Sequence, residues 1–272
     1  MTSIATNTPA LRVHYHGITN QKAEDQATER LASGRRINQA SDDAAGLFLS
    51  ERIKLKIRGV DRAIKNSQDS IGLLSTAESA VDEIRNIILR MRELSVQMAN
   101  GVYLNAPDRN YAQAEVDQLI QQIDMIANNA NFNDVKLLDG SFQNIGIQSG
   151  HTAEERISLY FGDRSASGIG AASIDVTTQA SALAAMETLG NSLAIISNDL
   201  SMMGAFQNRI GHNISALSSS QKFSTIAYGR IVDADMAEEA TNLSKTQVLA
   251  QANAAMLAQS NRSLSLIMTL FN

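Results

Sequence analysis

The chain has 272 residues and a formal net charge of −5, with 44% hydrophobic and 4% aromatic residues. This apolar content excludes a disordered chain, and the longest apolar runs fall far short of the roughly 18 residues of a membrane span. An acidic balance with interspersed Lys and Arg argues against nucleic acid or an anionic membrane as a partner. The absence of Cys excludes disulfides and thiolate chemistry.

Both ends of the chain, residues 1–40 and 226–272, have helical patterns but no helical partner nearby in the sequence. After Glu239 the only charged residues are Lys245 and Arg262. A lone helix cannot bury an apolar stripe, so we expect the ends to pack on each other, on neighbouring molecules, or on both. The stripe of the second end is predicted at Met236, Ala240, Leu243, Gln247, Ala250, Ala254, Leu257, Asn261 and Leu264.

Residues 41–130 predict two long antiparallel helices. In the first, apolar residues recur three and four apart, the heptad spacing of a coiled coil, at Leu74, Ala77, Val81, Ile84, Ile88, Met91, Ser95 and Met98. A neighbouring stripe widens this face enough to contact two helices, through Leu73, Ala80, Ile87 and Leu94. The second helix is predicted by Ala112, Val116, Leu119, Ile123, Ile126 and Ala130.

Between residues 131 and 175 the pattern changes to glycine-rich sequence with short alternating runs. Asp139-Gly140 is a turn signal, and apolar residues alternate with period two at Ile145, Ile147, Ile157, Leu159 and Phe161. We therefore expect one or two β-hairpins in this segment.

Residues 176–225 return to the heptad spacing, at Met186, Leu189, Leu193, Ile196, Leu200, Met203, Gln207, Ile210, Ile214 and Leu217. At 1.5 Å per residue this helix would be about 50 Å long, a length typical of a rod. The simplest interpretation is three antiparallel helices around one core. We expect Ile84, Met91, Leu193 and Leu200 to form that core.

Four sequence blocks together resemble bacterial flagellin. They are ERLASGRRINQASDDAAGL at 29–47, LRMRELSVQMANG at 89–101, FNDVKLLDG at 132–140, and the block RIVDADMAEEATNLSKTQVLAQANAAMLAQSN at 230–261. The blocks keep the order and spacing of that family over essentially the whole chain. The variable outer domains of the family would be inserted around 140–175, where this chain has only the predicted hairpins. The resemblance therefore indicates a minimal flagellin.

The resemblance implies a mainly α fold: a heptad-packed rod of 41–130 and 176–225, a hairpin segment at 131–175, and an inner coiled coil of 1–40 and 226–272. In flagellins the chain ends line the inner tube of the filament and fold largely on polymerisation. The implied function is a structural subunit of the motile filament, without enzyme activity or cofactor. The implied inner-tube contacts are Leu11, Ile18, Leu31, Leu243, Leu257, Leu264 and Leu270.

The implied partners are other copies of the chain, sister flagellins, the flagellar export apparatus, an export chaperone on the C-terminal helix, and the filament cap and junction proteins. The implied location is the extracellular filament. Residues 1–17 lack the apolar segment of a cleaved secretory signal, so we expect export without one.

The block around Ser41 allows two interpretations. Ser41 can be a helix N-cap with Asp42 and Asp43 in the first turn. Alternatively the segment is a joint between the terminal helix and the rod, in which Arg35, Arg36, Asn38, Asp42 and Asp43 bridge subunits. The acidic residues Asp233, Asp235, Glu238 and Glu239 allow either a metal site or the capped start of the last helix, and no loop signature supports the metal.

Arg90, Leu94 and Glu115 match positions through which several flagellins are recognised by the host innate receptor. The alternative is that they belong to a surface between subunits. The sequence also departs from the family at Gly17 and Glu24, where leucines are usual. With Pro9 nearby, we expect the first helix to be weaker than usual, broken or shifted near residue 17.

The sequence leaves two other functions open. A hook–filament junction protein shares the architecture of the chain ends, although the blocks at 29–47 and 89–101 favour flagellin. A cytoplasmic coiled-coil adaptor or chaperone should end in charged residues, which this chain lacks. An enzyme is disfavoured because the four His have no ligand spacing and no nucleophile motif is present.

Overall fold

The structure, a computed structural model, describes residues 6–102 and 106–269. Its helices and strands are, in chain order, α1 (Thr8–Ser33), α2 (Ala44–Met98), α3 (Ala106–Asn129), β1 (Asn131–Phe132), β2 (Val135–Lys136), β3 (Ile145–Gln148), β4 (Arg156–Leu159), α4 (Gln179–Val232) and α5 (Met236–Thr269). The predicted mainly α fold with a small β segment is confirmed. The chain divides into two compact units: the end unit, which runs up to Ile57 and from Lys222 onward, and the middle unit, Arg58–Gln221.

The middle unit has an apolar core formed by one face each of α2, α3 and α4. The predicted α2 stripe is buried along its whole length, with Ile84 and Met91 inaccessible to solvent. Leu193 and Leu200 of α4 are half-buried and pack against this core. Burial of apolar surface, worth about 25 cal/mol per Å² removed from water, is what joins these helices.

Two small antiparallel hairpins lie between α3 and α4. The first turns at Asn133 and Asp134, which have positive φ angles of 49° and 63°, as a two-residue type I′ turn requires. In the second, Ile147 of β3 lies opposite Ile157 of β4. The predicted turn at Asp139-Gly140 lies between the two hairpins and does not join the strands of either one. Instead, Asp139 forms an isolated bridge with Asp163.

The irregular segment between β4 and α4 is held in the core by side chains of the surrounding helices. Asp124 accepts a hydrogen bond from the N–H of Ala166 at 2.8 Å. Gln113 accepts one from the N–H of Val176, also at 2.8 Å. Buried backbone groups outside helices and strands need such partners, so these polar side chains allow a loop to fill the core.

Helix α1 is continuous through residue 17, so the predicted break there is wrong. Asn7 caps its start by accepting from the N–H of Ala10 at 3.1 Å, and Pro9 lies in the first turn, where its missing N–H costs no helical bond. An internal Gly costs only about 1 kcal/mol of helix propensity, which packing against another helix can offset. The helix ends at Gly34 with a left-handed φ of 69°.

The predicted start of α2 also needs correction. The helix begins at Ala44, and Asp43 acts as its cap by accepting from the N–H of Gly46 at 2.8 Å. Ser41 therefore does not cap this helix. In the second half of the chain, α4 continues to Val232, so the expected domain boundary at 225/226 falls inside a helix. The boundary at 40/41 falls in the link before α2, and the division into domains stays a prediction.

We expect the core face of α2 to dominate the stability of the middle unit. Replacing Ile84 by Ala should lower the free energy of unfolding by about 2–5 kcal/mol, because it leaves a cavity at a fully buried site. Leu89→Ala is the matched control on the same helix, since Leu89 is 39% exposed and should cost much less. Urea titration followed by circular dichroism measures both, and equal losses would contradict the assignment of the core face.

Candidate self-assembly site

The end unit contains a close antiparallel pairing of α1 with α5, whose Cα atoms approach within 8 Å of each other. The side chains that face the partner helix are half-buried or buried and recur in heptad steps, and we call them the end-helix seam. On α1 the seam consists of Asn7, Ala10, Val13, Gly17, Asn20, Glu24, Ala27, Arg30 and Leu31. On α5 it consists of Glu239, Leu243, Thr246, Ala250, Asn253, Leu257 and Ser260.

Polar contacts cross the end-helix seam at three levels among the described residues, and we call these levels the polar rungs. Arg30 Nη1 lies 2.9 Å from Glu239 Oε1, in an ion pair whose carboxylate is nearly buried. The Asn20 side-chain amide donates to the main-chain carbonyl of Thr246 at 2.7 Å. The third rung joins the Ser260 hydroxyl, as donor, to Asn7 Oδ1 at 3.0 Å. Small seam residues allow the close approach that these short side chains need.

The face of α5 that meets α1 differs from the predicted one. Leu243 and Leu257 do face α1, as the heptad pattern indicated. However, Glu239 and Thr246 occupy the intervening seam positions in place of Ala240 and Gln247. The pattern could not reveal this, because the polar rungs join residues more than 200 positions apart.

A groove of about 570 Å³ runs along one side of the α1–α5 pair. Its lining mixes apolar and polar side chains, among them Val13, Asn20, Ala23, Lys245, Leu249 and Met256. Leu249 and Met256 are large apolar residues that remain exposed at this groove. The pair therefore leaves apolar surface uncovered within a single chain.

The structure divides the predicted inner-tube residues into two groups. Leu31, Leu243 and Leu257 are half-buried in the end-helix seam. Leu11 and Ile18 point away from it and are 58% and 48% exposed. Two further predicted contacts cannot be placed in this way, since the side chain of Leu264 and the whole of Leu270 lie outside the described residues.

The predicted joint residues make contacts inside the chain. Arg35 forms an isolated antiparallel bridge with Asp233, and the Arg36 N–H donates to the carbonyl of Val232 at 2.6 Å. The Arg36 guanidinium donates to the carbonyl of Ile231 at 2.7 Å, where a cation complements the negative end of α4. This clasp ties the link after α1 to the link before α5.

Asp42 organises the rest of the joint. Its Oδ2 accepts from the N–H groups of Gln39 and Asn38, at 3.0 Å each. These two bonds hold the pKa of the Asp42 carboxyl below its ordinary value, and the bond from Gln39 has the larger effect. The Asn38 side chain in turn donates to the carbonyl of Arg35 at 3.3 Å.

The acidic residues around 235 form the start of α5. Asp235 accepts from the N–H groups of Ala237 and Glu238, at 2.9 and 3.2 Å, which is N-cap geometry. Glu239 is turned toward Arg30. Among the described residues, no three His or acidic side chains converge in a way that could hold a metal ion.

The three residues of the predicted receptor contact do not share one surface. Arg90 Nη2 lies 2.8 Å from Glu115 Oε1, and both side chains are about half exposed. The hydrogen bond from Arg90 to Glu115 stabilises the cation and raises the pKa of Arg90. Leu94 is only 4% exposed and belongs to the core of the middle unit.

Sequence reasoning missed a set of exposed apolar residues where α2 begins and α4 ends. Phe48 and Phe223 are 68% and 69% exposed, and they accompany Leu49, Leu55 and Ile226. The spacing carried a signal, because Phe48 and Leu55 are one heptad apart and fall outside the stripe that packs in the core. Exposed aromatic side chains of this size are typical of surfaces that bind a partner.

These observations describe a mainly helical protein whose two chain ends pair with each other. Residues 4–143 match the bacterial flagellin N-terminal helical region, and residues 186–270 match the bacterial flagellin C-terminal helical region. A flagellin of Halalkalibacterium halodurans is 40% identical over 258 residues, which cover 94% of each chain. The chain therefore belongs to the bacterial flagellin family, and it is a structural subunit of the extracellular flagellar filament.

Solved structures agree with this assignment. The crystal structure of Bacillus cereus flagellin is 30% identical and superposes with a TM-score of 0.52, covering 56% of this chain and 88% of that one. A structure described as a flagellar hook-associated protein from Vibrio parahaemolyticus gives 0.61 over 71% of this chain, at 14% identity. At that identity the second match shows a shared fold alone, so it does not favour a junction protein. No helix within 6–102 or 106–269 is long and apolar enough to cross a membrane.

The hydrogen bonds of Asp42 predict that the stability of the joint depends on pH. The Asp42 carboxylate has a lower pKa in the folded chain, so it contributes stability above the unfolded pKa of about 3.9. That contribution is lost as the pH falls through the folded pKa. Asp42→Ala should lower the melting temperature at neutral pH, and its difference from the parent should shrink toward pH 3 or so.

The control is Asp69→Ala, which removes an exposed carboxylate on α2. Thermal melts followed by circular dichroism across the acid range provide the comparison. A difference between Asp42→Ala and the parent that stays constant down to acid pH would show that the charge of Asp42 does not hold the joint.

Proposed function

We propose that this flagellin subunit polymerises through the outward faces of α1 and α5 together with the exposed apolar residues at the ends of α2 and α4. The observation that carries the proposal is the orientation of α5, which buries polar residues against α1 and exposes Leu249 and Met256. A surface of this kind contacts a different surface on the next copy. Such heterologous contacts produce an open helix when the rotation between copies does not close a ring.

The inner-tube residues have two roles in this proposal. Leu31, Leu243 and Leu257 hold α1 and α5 together within one subunit, and Leu11 and Ile18 face neighbouring subunits. Leu264 lies one heptad after Leu257 in the sequence, and both Leu264 and Leu270 stay proposed contacts of the filament interior. The pair has few large apolar contacts of its own, so it gains most of its stability when neighbours cover it.

The clasp and Asp42 support a joint role for residues 35–43. The contacts of Arg35, Arg36 and Asn38 fix the link between the two chain ends, and this orients α1 and α5 as one element. Asp43 fixes the start of α2 by capping it. In the filament these charged residues lie where one subunit meets the next, which is the bridging role expected from the sequence.

The remaining partners follow from the same exposed helices. An export chaperone that covers α5 before assembly would shield Met256 and Leu249, which would otherwise associate early. The export apparatus, the filament cap, the junction proteins and sister flagellins complete the set of partners. The subunit reaches the outside through the flagellar channel without a cleaved signal.

A host receptor contact is proposed for Arg90 and Glu115 only. Their ion pair is exposed on neighbouring helices of the middle unit. Leu94 is buried beneath them, so it supports the packing of α2 and α3 and offers no surface to a partner.

Leu257→Asp should abolish filament formation. A carboxylate placed in the end-helix seam has no cationic partner there, so α5 should separate from α1. The purified protein is dissociated, reassembled with salt or filament seeds, and inspected by electron microscopy for long filaments. Leu257→Met is the control, because it keeps an apolar side chain of similar volume.

Limited proteolysis of the Leu257→Asp variant should leave Arg58–Gln221 as resistant as in the parent, since that unit has its own core. Filaments of parental length from this variant would refute the role of the end helices. If the parent itself forms no filaments under any salt condition, the proposed polymerisation is refuted.

Phe48→Asp tests the exposed apolar residues separately. Phe48 is 68% exposed, so the change should leave the melting temperature of the monomer nearly unchanged. Its loss from a contact between subunits should raise the protein concentration needed for assembly by tenfold or so, as removing an aromatic anchor worth about 1–2 kcal/mol does. Sedimentation of filaments measures that concentration, with Phe48→Leu as the control. An unchanged value would remove Phe48 from the interface.

A further inference from the structure

Helix α5 pairs with α1 through its more polar face. Its buried side chains are those of Glu239, Thr246 and Ser260. Its large exposed apolar side chains, each between 44% and 64% accessible, are Met236, Val248, Leu249 and Met256. Leu243 and Leu257 do face α1, but a helix packed by the hydrophobic effect alone would turn most of its large apolar side chains toward its partner.

A second face of α5 offers α1 more apolar surface. Successive helical residues are about 100° apart, so turning α5 by about half that angle exchanges one heptad face for the next. The turn would keep Leu243 and Leu257 in the end-helix seam and would bring Ala240 in place of Glu239. This alternative face is the one that the sequence pattern predicts. Apolar contact alone therefore does not explain the observed orientation.

The seam of α1 gives no steric reason for the observed face either. At Gly17 an added Cβ would meet no atom within 4 Å, so the helices are not interlocked there. Large apolar side chains in the seam are few, with Val13 and Leu31 on the α1 side. Packing that is this open admits more than one rotational setting of α5.

The polar rungs do distinguish the two settings. Their α5 members, Glu239, Thr246 and Ser260, are separated by one and two heptads and so lie along one line of the helix. Turning α5 would draw Glu239 away from Arg30 and would move the carbonyl of Thr246 away from Asn20. Removing the partner of a buried charge is strongly unfavourable, and polar seam residues in coiled coils fix helix orientation by this effect.

We propose that the polar rungs select which face of α5 meets α1, and that Asn20 is the determining residue. Asn20 forms the middle rung, and it donates to a main-chain carbonyl that every residue type at 246 would provide. The rungs thereby keep Ala240, Gln247 and Ala254 on the outside of the pair. Selection of the face is a property of the pair, and the use of the outer face by other subunits rests on the proposed function.

The test measures the rotational setting of α5 in Asn20→Leu, which replaces a rung by an apolar seam residue. The chain has no Cys, so spin labels can be attached at Lys22→Cys and Ser244→Cys, two exposed positions on α1 and α5 that lie outside the seam in either setting. Double electron–electron resonance is recorded on the full chain, both soluble and polymerised with an excess of unlabelled protein. The parent should give one narrow distance in at least one of these states.

Asn20→Leu should shift or split that distance by about 5 Å, the displacement of a side chain when a helix 10–12 Å wide turns by half a residue step. Gln21→Leu is the matched control, since Gln21 is exposed on the same helix and outside the seam, and it should keep the parental distance. An unchanged distance in Asn20→Leu would overturn the proposal. A broad distribution in the parent in both states would also overturn it, because no face would then be selected.

A second set of variants tests the rungs without an added leucine. Arg30→Glu should disturb the distance as Asn20→Leu does, because it places two carboxylates together. Combining it with Glu239→Arg restores an ion pair of reversed polarity and should return the parental distance. Failure of the reversed pair to restore it would count against the rungs. Filament formation is scored separately by electron microscopy, so loss of assembly is not confused with loss of face selection.

Discussion

The end unit is governed by one constraint, which is that α1 and α5 meet through small and polar side chains. Such a seam allows close approach but removes little apolar surface from water, so its contribution to stability is modest. The hydrogen bonds across it replace bonds to water and add little net energy, although they strongly disfavour other arrangements. The pair is therefore specific without being strong.

The middle unit differs from the end unit because it is stabilised by a large apolar core. Its three helices, two hairpins and connecting segment enclose a continuous apolar core, and the loop that fills it has its backbone groups satisfied by Gln113 and Asp124. Such a unit can fold within one chain. The exposed aromatic residues Phe48 and Phe223 lie outside it, in the end unit. The middle unit therefore has a continuous core of its own, while the end unit leaves Phe48 and Phe223 uncovered.

The sequence was informative where burial is periodic and local. The stripe containing Ile84 and Met91 could be predicted because nearly all of its heptad positions hold apolar residues. The face of α5 could not, because Ala, Gln and Asn recur on neighbouring faces, and the polar partners Arg30 and Asn20 lie 209 and 226 residues from Glu239 and Thr246. The cap at Asp43 was missed for a similar reason. Ser41, Asp42 and Asp43 are all favourable N-cap residues, and only the hydrogen bonds of Asp42 with the preceding link show that Asp42 does not cap α2.

The departures at Gly17 and Glu24 follow from the same constraint. Leucines at these two seam positions would provide an apolar stripe on α1, and that stripe would favour whichever face of α5 is most apolar. The more apolar setting brings Ala240 and Ala254 into the seam, so leucines at these positions would oppose the orientation that the polar rungs favour. A small residue and an acidic residue at these positions weaken the pair and leave its orientation to the polar rungs. The pair is then weak within one subunit, and the proposed contacts with neighbouring subunits would supply the burial that it lacks.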